Sequence, residues 1–433
     1  MRFFLFIISI FQFNILSAQG LLTPEQAVSI ALQHNYDIVL AKNDVEIAKL
    51  NNHAGAAGQL PKVAINLGEN YMINSIYQEL ATGTITNKDN VSVNNLNAGI
   101  TANWTIFDGM KMFATKQRLN ALQSQSEFIL KDQLQNTVAQ TLTLYYQVVQ
   151  QKLQLNALNE LIKLYEERVF LSQKKFEVGY ADKSAYLQAK VEIASQKINI
   201  LKQKTLIQQS KAALNQVMGK NASLDFDVID TFHLQTMPSL SVLMDSSYTS
   251  YSLKLAQKNI EINQLQTKEI NATRMPTLSL NSGYNFSQNN SKAGLLLINR
   301  STGPQIGISA SISIYNGSVV KRQLDVNKIQ MSSSQVALEQ LKNEVNMRLF
   351  NAYQNYELAK SALILYEDNT KVARENLQLA YEKFKHNQTT SLDLKTAQNA
   401  MEQALNDVIT SKYNAQIAEI ELKRLANILV KSE

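Results

Sequence analysis

The sequence predicts an α+β membrane protein in which long antiparallel coiled-coil helices are joined to four β-strands, the whole unit being written twice. Three observations carry this. The 433 residues include only 14 Gly and 5 Pro, about 4 % of positions against roughly 12 % in average usage, so the elements are few and long. The chain matches itself at a fixed spacing, the sign of an internal duplication. Four segments of about ten residues alternate an apolar face with a small, polar, almost uncharged one, the pattern of membrane-spanning strands.

Composition sets outer bounds. Hydrophobic residues make up 45 % and charged residues 18 %. The deficit in charge is filled by Asn, Gln, Ser and Thr, which excludes a disordered polyelectrolyte. A mean hydropathy of −0.19 excludes a bundle of membrane helices. There is no Cys, so disulfides, thiolate metal sites and a lipidated N-terminal cysteine are all excluded. The net charge of +6 is scattered, with no basic patch interleaved with aromatics, so no nucleic-acid partner is expected.

Residues 1–19 read as a signal peptide: Arg2, the apolar run Phe3 to Ile10, then Ser17, Ala18 and Gly20 around the cleavage point. A membrane anchor is the other reading, but Gln12 and Asn14 break the run short of about 20 residues.

The repeat divides the mature chain into residues 20–219 and 241–433, joined by a linker at 220–240. Tyr36, Leu40, Glu46, Pro61, Asn66 and Gly68 recur 215 positions on as Tyr251, Leu255, Glu261, Pro276, Asn281 and Gly283. Further along the offset is 208: Phe107, Asp108, Gly109, Tyr145, Lys175 and Phe176 match Tyr315, Asn316, Gly317, Tyr353, Lys383 and Phe384. The change of offset falls in a polar, loop-like stretch after each first strand.

Within the first repeat, Thr23, Pro24 and Gln26 supply an N-cap, a first-turn proline and a capping box. A helix from about Tyr36 then runs to the glycines at 55–58. Strands follow at 62–71 and 97–107. Val63, Ile65, Leu67 and Tyr71 alternate with Asn66, Gly68 and Asn70, and Ile100, Trp104 and Ile106 with Thr101 and Asn103. Asp108 and Gly109 start a helix over 109–178, free of Gly and Pro and about 100 Å long at 1.5 Å per residue. Gly179 ends it as a left-handed cap, a tip occupies 179–183, and a return helix spans 184–218. In the linker, Leu224, Phe226 and Val228 alternate with Asp225 and Asp227 as a short strand.

The second repeat has a helix to residue 275 and strands at 277–286 and 305–315. There Leu280, Tyr284, Ile306 and Ile308 alternate with Asn281, Asn285, Ser309 and Ser311. Asn316 and Gly317 start a helix over 317–386, Asn387 caps it, the tip is 387–391 and the return helix is 392–428. A half-buried sheet of a soluble protein would carry Lys and Glu on its wet face; these polar faces carry almost none. A ten-residue strand tilted by about 40° rises roughly 25 Å, the apolar height of outer-membrane barrels. Four strands cannot close a barrel, so closure requires several copies, and strand number alone allows two copies with eight strands.

The chain resembles the TolC family of bacterial outer-membrane efflux and secretion channels. The resemblance rests on Leu22-Thr23 with Ala27, Ala31, Leu32 and Asn35, on Leu60-Pro61, on Phe107-Asp108-Gly109, and on Phe176 with Gly179. It implies a homotrimer with a twelve-stranded barrel in outer-membrane lipid, and a helical α-barrel extending into the periplasm. That tunnel would dock on a periplasmic adaptor and an inner-membrane transporter. Phe176, Gly179, Tyr180, Ser184, Phe384, Asn387 and Asp393 would form the docking tip. Asn66, Asn70, Thr101, Asn103, Asn281, Asn285, Ser309 and Ser311 would face the lumen. Family members often latch the tip with charge; here only Asp393 occupies such a position, whereas Ala185, Thr389 and Thr396 do not match, so closure is expected to rest on Tyr180, Tyr186 and polar contacts.

No catalysis, cofactor or metal is expected. The four histidines, His34, His53, His233 and His386, have no chelating spacing, and no HExxH, G-x-S-x-G or Walker loop occurs. Asp225, Asp227 and Asp230 lack the glycine and distal Glu of a calcium loop. Glu69 could line a pore, and Asp108 is more simply a helix cap. The function expected is a passive exit duct; the competing reading is a periplasmic coiled-coil adaptor or spacer, with soluble-looking strands and a single hairpin.

Overall fold

A computed structural model describes residues 21–294 and 296–430; the expected signal peptide lies outside them. The element order is β1 (Leu21–Leu22), α1 (Pro24–His34), α2 (Tyr36–Asn51), β2 (Lys62–Glu79), β3 (Ile85–Phe107), α3 (Lys111–Glu177), α4 (Lys183–Val217), β4 (Asp227–Val228), α5 (Leu240–Ser247), α6 (Tyr251–Ala272), β5 (Thr277–Ser291), β6 (Ile298–Ser311), α7 (Val319–Lys385) and α8 (Ser391–Leu425). No described helix is long and apolar enough to cross a membrane. Two compact units form: one from residues up to Ala41, Lys131–Tyr251 and Lys342 onward, the other from Lys42–Leu130 and Ser252–Leu341.

The second of these holds an antiparallel sheet in the order β2-β3-β5-β6. Its strands exceed the expected ten residues, at 18, 23, 15 and 14. The stretch read as a loop, 72–96, extends the ladder on both sides of a turn at 80–84 instead, because pairing with the neighbouring strand outweighs the turn preference of its Asn residues. A bulge between Asn74 and Ile76 interrupts the pairing, and a tight turn closes by Leu80 N–H to Thr84 O at 3.0 Å. The last strand also ends earlier than expected, at Ser311. The helices before β2 and β5 stop at Asn51 and Ala272 rather than at 55–58 and 275. Beyond Asn51 the chain passes through turns in which His53 Nδ1 accepts the Gly55 N–H at 3.0 Å.

Gly109 explains how α3 leaves the sheet. Its φ is +71°, and a Cβ there would stand 2.4 Å from Met275 Cβ and 2.5 Å from Ala272 O. Only glycine tolerates both the left-handed backbone and that approach to the end of α6. Asp108 accepts the Met112 N–H at 3.0 Å, capping α3. Deeper in this unit Arg118 pairs with Glu269 at 2.8 Å.

The helical unit is organised by two hairpins with equal limbs: α3 and α7 have 67 residues each, α4 and α8 have 35. Thr23 closes its capping box with Gln26, through bonds of 3.1 and 3.2 Å, so α1 begins where its sequence says. Tyr145, Val148, Val149, Leu214 and Met218 form one core with α1 and β4. Leu349, Tyr356 and Leu422 form another with α5, and Leu161, Tyr165, Leu394 and Met401 a third. Burying each such leucine contributes about 1.5–3 kcal/mol.

The linker strand is shorter than expected, only Asp227–Val228, and pairs in parallel with Leu21–Leu22. Helix α5 was not foreseen. Two tyrosines strap this linker: Tyr145 donates to Leu22 O at 2.8 Å and accepts from Ile229 N–H at 3.2 Å. Tyr356 donates to Gln235 O at 2.9 Å and accepts from Met237 N–H at 3.3 Å. Burial pushes the Tyr145 hydroxyl up to about 12.

Candidate functional site

The sheet has two chemically distinct faces. Register places Asn66 opposite Gly99, Thr101 opposite Gly283, Asn103 opposite Asn281 and Asn281 opposite Gly307. Asn70, Asn285, Ser309 and Ser311 fall in the same parity, so all eight expected lumen residues share one face. They bond to one another across strands: Asn66 Nδ2 donates to Thr101 Oγ1 and Asn281 Nδ2 to Ser309 Oγ, both at 3.1 Å. Such side chains satisfy one another without charge.

The opposite face carries Val63, Ile65, Leu67, Ile100, Trp104, Tyr284, Ile306 and Ile308. Ile65, Leu67, Ile306 and Ile308 are each at least 70 % exposed, an apolar surface that water does not favour. Glu69 is a correction: it sits on this apolar face, opposite Leu96, not among the small polar residues. Asn94 Nδ2 donates to its carboxylate at 2.8 Å. Trp104, on the same face, donates its indole N–H to Gln59 O at 3.0 Å.

At the hairpin tips, Gly179 has φ +77° and Asn387 φ +59°, so both helices end in left-handed caps. Asp182 starts α4 by accepting the Ser184 N–H at 2.7 Å. Thr390 starts α8 in a capping box with Asp393. Hydrogen bonds from the Thr390 hydroxyl first, then from Thr389, hold the Asp393 carboxyl below the usual carboxylate range. Asp393, expected as a gate charge, is thus engaged in helix capping.

Phe176 is exposed, as are Tyr180, Val178 and Leu392. Phe384, expected on the rim, is instead buried at 4 % exposure. The Lys175 ammonium lies 3.7 Å from its ring centroid and bonds its carbonyl oxygen, fastening one tip to the other. Burial pulls that ammonium below its ordinary value.

Sequence reading missed the charge that does join the hairpins. Arg168 on α3 has a side chain only 2 % exposed. It donates to Glu192 of α4 at 2.5 Å, and to Gln398 and Ser391 of α8 at 3.1 and 3.0 Å. Lys395 reaches the same carboxylate at 2.8 Å. Burial works to raise the Glu192 carboxyl; the bonds from Lys395 and Gln188 and the Arg168 charge outweigh it, leaving it below the ordinary glutamate value. Arg168 lies up to 230 residues from its partners, so no local spacing announced them. Among the described residues no group of three or more His, Asp or Glu could hold a metal.

A sheet with one apolar and one small polar face, continued by long helical hairpins, defines a channel of the outer membrane. The outer membrane efflux protein family matches residues 27–220 and 248–427, and the chain belongs to that family. It is 25 % identical over 329 residues to the outer membrane efflux protein BepC of Brucella suis, covering 73 % of this chain and 70 % of BepC. It is 21 % identical over 401 residues to the outer membrane protein TolC of Escherichia coli, covering 88 % and 77 %. Among solved structures, the outer-membrane channel OprN superposes with a TM-score of 0.78 at 15 % identity, over 93 % of this chain and 89 % of that one. The Campylobacter jejuni CmeC outer membrane channel gives 0.77 at 16 %, over 94 % and 86 %. The structural likenesses carry the fold; the family carries the function. The protein is an outer-membrane efflux channel with a helical tunnel in the periplasm, and its family is one of channels rather than enzymes. The adaptor reading is set aside.

Proposed function

We propose that three copies close a twelve-stranded barrel, with the small polar face toward the lumen and the Ile- and Leu-rich face toward lipid. The observation that carries this is the pair of open edges: among the described residues β2 and β6 each lack a partner on one side. In hydrocarbon every unpaired backbone group costs several kcal/mol, so the edges must be joined. A dimer with eight strands would satisfy them too; three copies follow the family. The chain is read as one structural unit duplicated, which the equal hairpin limbs support.

The exposed tips around Phe176, Val178, Gly179, Tyr180, Asn387 and Leu392 are proposed as the rim that meets a periplasmic adaptor and its inner-membrane transporter, with Ser184 and Asp393 shaping the helix starts behind it. The channel then conducts substrate passively. Purified protein should have the mass of three chains in native mass spectrometry and form pores in planar bilayers. A monomer or a pore-free trimer would overturn the reading. Replacing Gly179 by Val should block export in cells while trimers still insert, and unchanged export would remove these tips from the docking surface.

A further inference from the structure

In the helical unit two helix faces are apolar, periodic and turned away from the chain's own cores. On α4, Ala189, Gln203 and Ile207 are buried, while Leu187, Val191, Ala194, Ile198 and Leu201, on the opposite side, follow one another at steps of four and three. On α7, Tyr356, Ala373, Leu377 and Phe384 are buried, while Leu358, Leu365, Val372 and Leu379 recur every seven residues outside them. The eight large side chains of these two rows are 49–71 % exposed. A seven-residue repeat of this kind is the seam of a left-handed coiled coil and requires a second helix along it.

Each seam is flanked by charge of the same period. Lys183, Lys190, Lys197 and Lys204 stand seven apart on α4, all exposed. Lys190 lies 5.5 Å from the Tyr186 ring centroid, and none of the four has an ion-pair partner among the described residues. Asp368, Glu375 and Glu382 stand seven apart on α7, also exposed. Glu375 is unpaired among the described residues, whereas Asp368 and Glu382 have as partners Lys371 and His386, one turn on, at 2.8 and 3.9 Å. A lone surface lysine is solvated charge; a lysine row along one seam and an acidic row of equal period along the other are complementary.

Direction fits as well. Lys175 fastens the first tip to the second, so α7 arrives at the level from which α4 departs, and the two helices run antiparallel. With the tips level and about 1.5 Å of rise per residue, Ile198 falls within about 3 Å of the height of Val372, and Val191 of Leu379. Lys190 likewise falls within about 5 Å of the height of Glu375, and Lys197 of Asp368. In heptad order the lysines sit just before the apolar positions 191 and 198, and the acids three places after 365, 372 and 379. These are the same flanking position, and two antiparallel helices bring like flanks to one side of their shared seam.

We propose that α4 of one copy packs along α7 of the next as an antiparallel coiled coil, seam on seam, with the lysine row against the acidic row. The inference rests on the reading that several copies close into a ring, and it names the helices that join them below the barrel. Burial of the two apolar rows supplies the attraction. The exposed ion pairs add little strength; they set register and choose the partner. Packing α4 on α4 would bring lysine rows together, and packing α7 on α7 would bring acids together. Charge therefore joins one face to a different face, as closure of a ring demands.

The chain has no Cys, so engineered cysteines report without background. Full-length chains carrying Ile198→Cys are coexpressed with differently tagged chains carrying Val372→Cys, purified in detergent and oxidised, and the mixed disulfide is measured on gels without reductant. It should form about tenfold more than the mixed disulfide of Ile198→Cys with Leu365→Cys, one heptad or about 10 Å away, because a disulfide spans Cα atoms no more than about 7 Å apart. Lys190→Glu/Lys197→Glu should raise by about tenfold the chain concentration at which half the chains are in rings at low salt, at two- to fivefold per pair. Adding Asp368→Lys/Glu375→Lys to the same chain should restore assembly. Equal yields of the two disulfides, or charge reversal that the second reversal does not rescue, would overturn the assignment. Native mass spectrometry of the wild type separates the two readings: rings without the register-specific disulfide sink this joint alone, whereas absence of rings sinks closure by several copies.

Discussion

Glu192→Gln tests whether the buried charge cluster holds the two hairpins together. Arg168 is nearly sealed from solvent, Glu192 is 13 % exposed and Lys395 is 32 % exposed. Removing the carboxylate leaves a buried guanidinium with neutral partners only, which costs on the order of 3–5 kcal/mol. Removing Lys395 instead leaves the central pair intact and takes away a solvent-screened ion pair worth about 0–1 kcal/mol. Hydrogen exchange read by mass spectrometry reports local opening. Amides of α4 around Val191 and of α8 around Gln398 should lose protection by roughly 10²–10³-fold in Glu192→Gln, since each tenfold is about 1.4 kcal/mol. In Lys395→Gln the loss should stay below about fivefold. Arg168→Met with Glu192→Leu should recover most of it, because apolar side chains of similar volume replace a buried pair with little loss. If Lys395→Gln opened the hairpins as far as Glu192→Gln, burial would not be what makes this pair strong.

Four further outcomes follow from the geometry. The Glu192 carboxyl is held below its ordinary value, so its stabilisation is fully present above the unfolded glutamate pKa and disappears as pH falls through the lower folded value; the difference in protection between wild type and Glu192→Gln should be flat at neutral pH and vanish in acid. Tyr145→Phe strands Leu22 O and Ile229 N–H in a buried site, and should lower the unfolding free energy by about 1–3 kcal/mol in detergent, read by thermal or denaturant melts. Asp108→Ala removes the cap of α3 and should cost about 1 kcal/mol, visible as faster exchange of the Met112 amide. Asn387→Gly relieves a left-handed backbone at a non-glycine residue and should leave stability unchanged or raise it slightly, whereas Gly179→Val should lower it by about 1–2 kcal/mol.

Much of this architecture was legible because its punctuation is local. Gly109, Gly179 and Gly317 stand at helix ends and all have positive φ, and a residue that must be left-handed is visible in any sequence. Asn387 could be read as the substitute it is, and Asn427, with φ +58°, ends α8 in the same manner. The capping boxes at Thr23 and Thr390 are patterns of three residues. The strand faces were readable too, since alternation has a period of two. What escaped is what depends on distant partners. Strand length in 72–96 is fixed by the neighbour in the ladder, which outweighs the turn preference of the Asn residues there. Arg168 looks like any helical arginine until α8 arrives beside it. Phe384 matches Phe176 in sequence, and each follows a lysine, yet one is buried under Lys175 and the other exposed; which ring the lysine covers is set by packing between the hairpins and not by the repeat. Tyr353 was the counterpart of Tyr145 by spacing, but Tyr356, one turn on, holds the linker; helix phase, not sequence correspondence, decides which hydroxyl reaches it.

The unpaired edges at β2 and β6 also bear on how many pores a cell can make. A single sheet with open edges has no lipid-soluble form, so a chain cannot wait in the membrane for its neighbours; it must meet them first or at the moment of insertion. For the ring of three chains proposed above, mass action makes the number of rings rise as the cube of the free chain concentration while assembly is incomplete. Halving synthesis in that regime would leave about an eighth of the channels. Export capacity would then respond to gene dosage as a threshold rather than in proportion, and a non-closing edge variant would silence wild-type chains by occupying rings that it cannot complete.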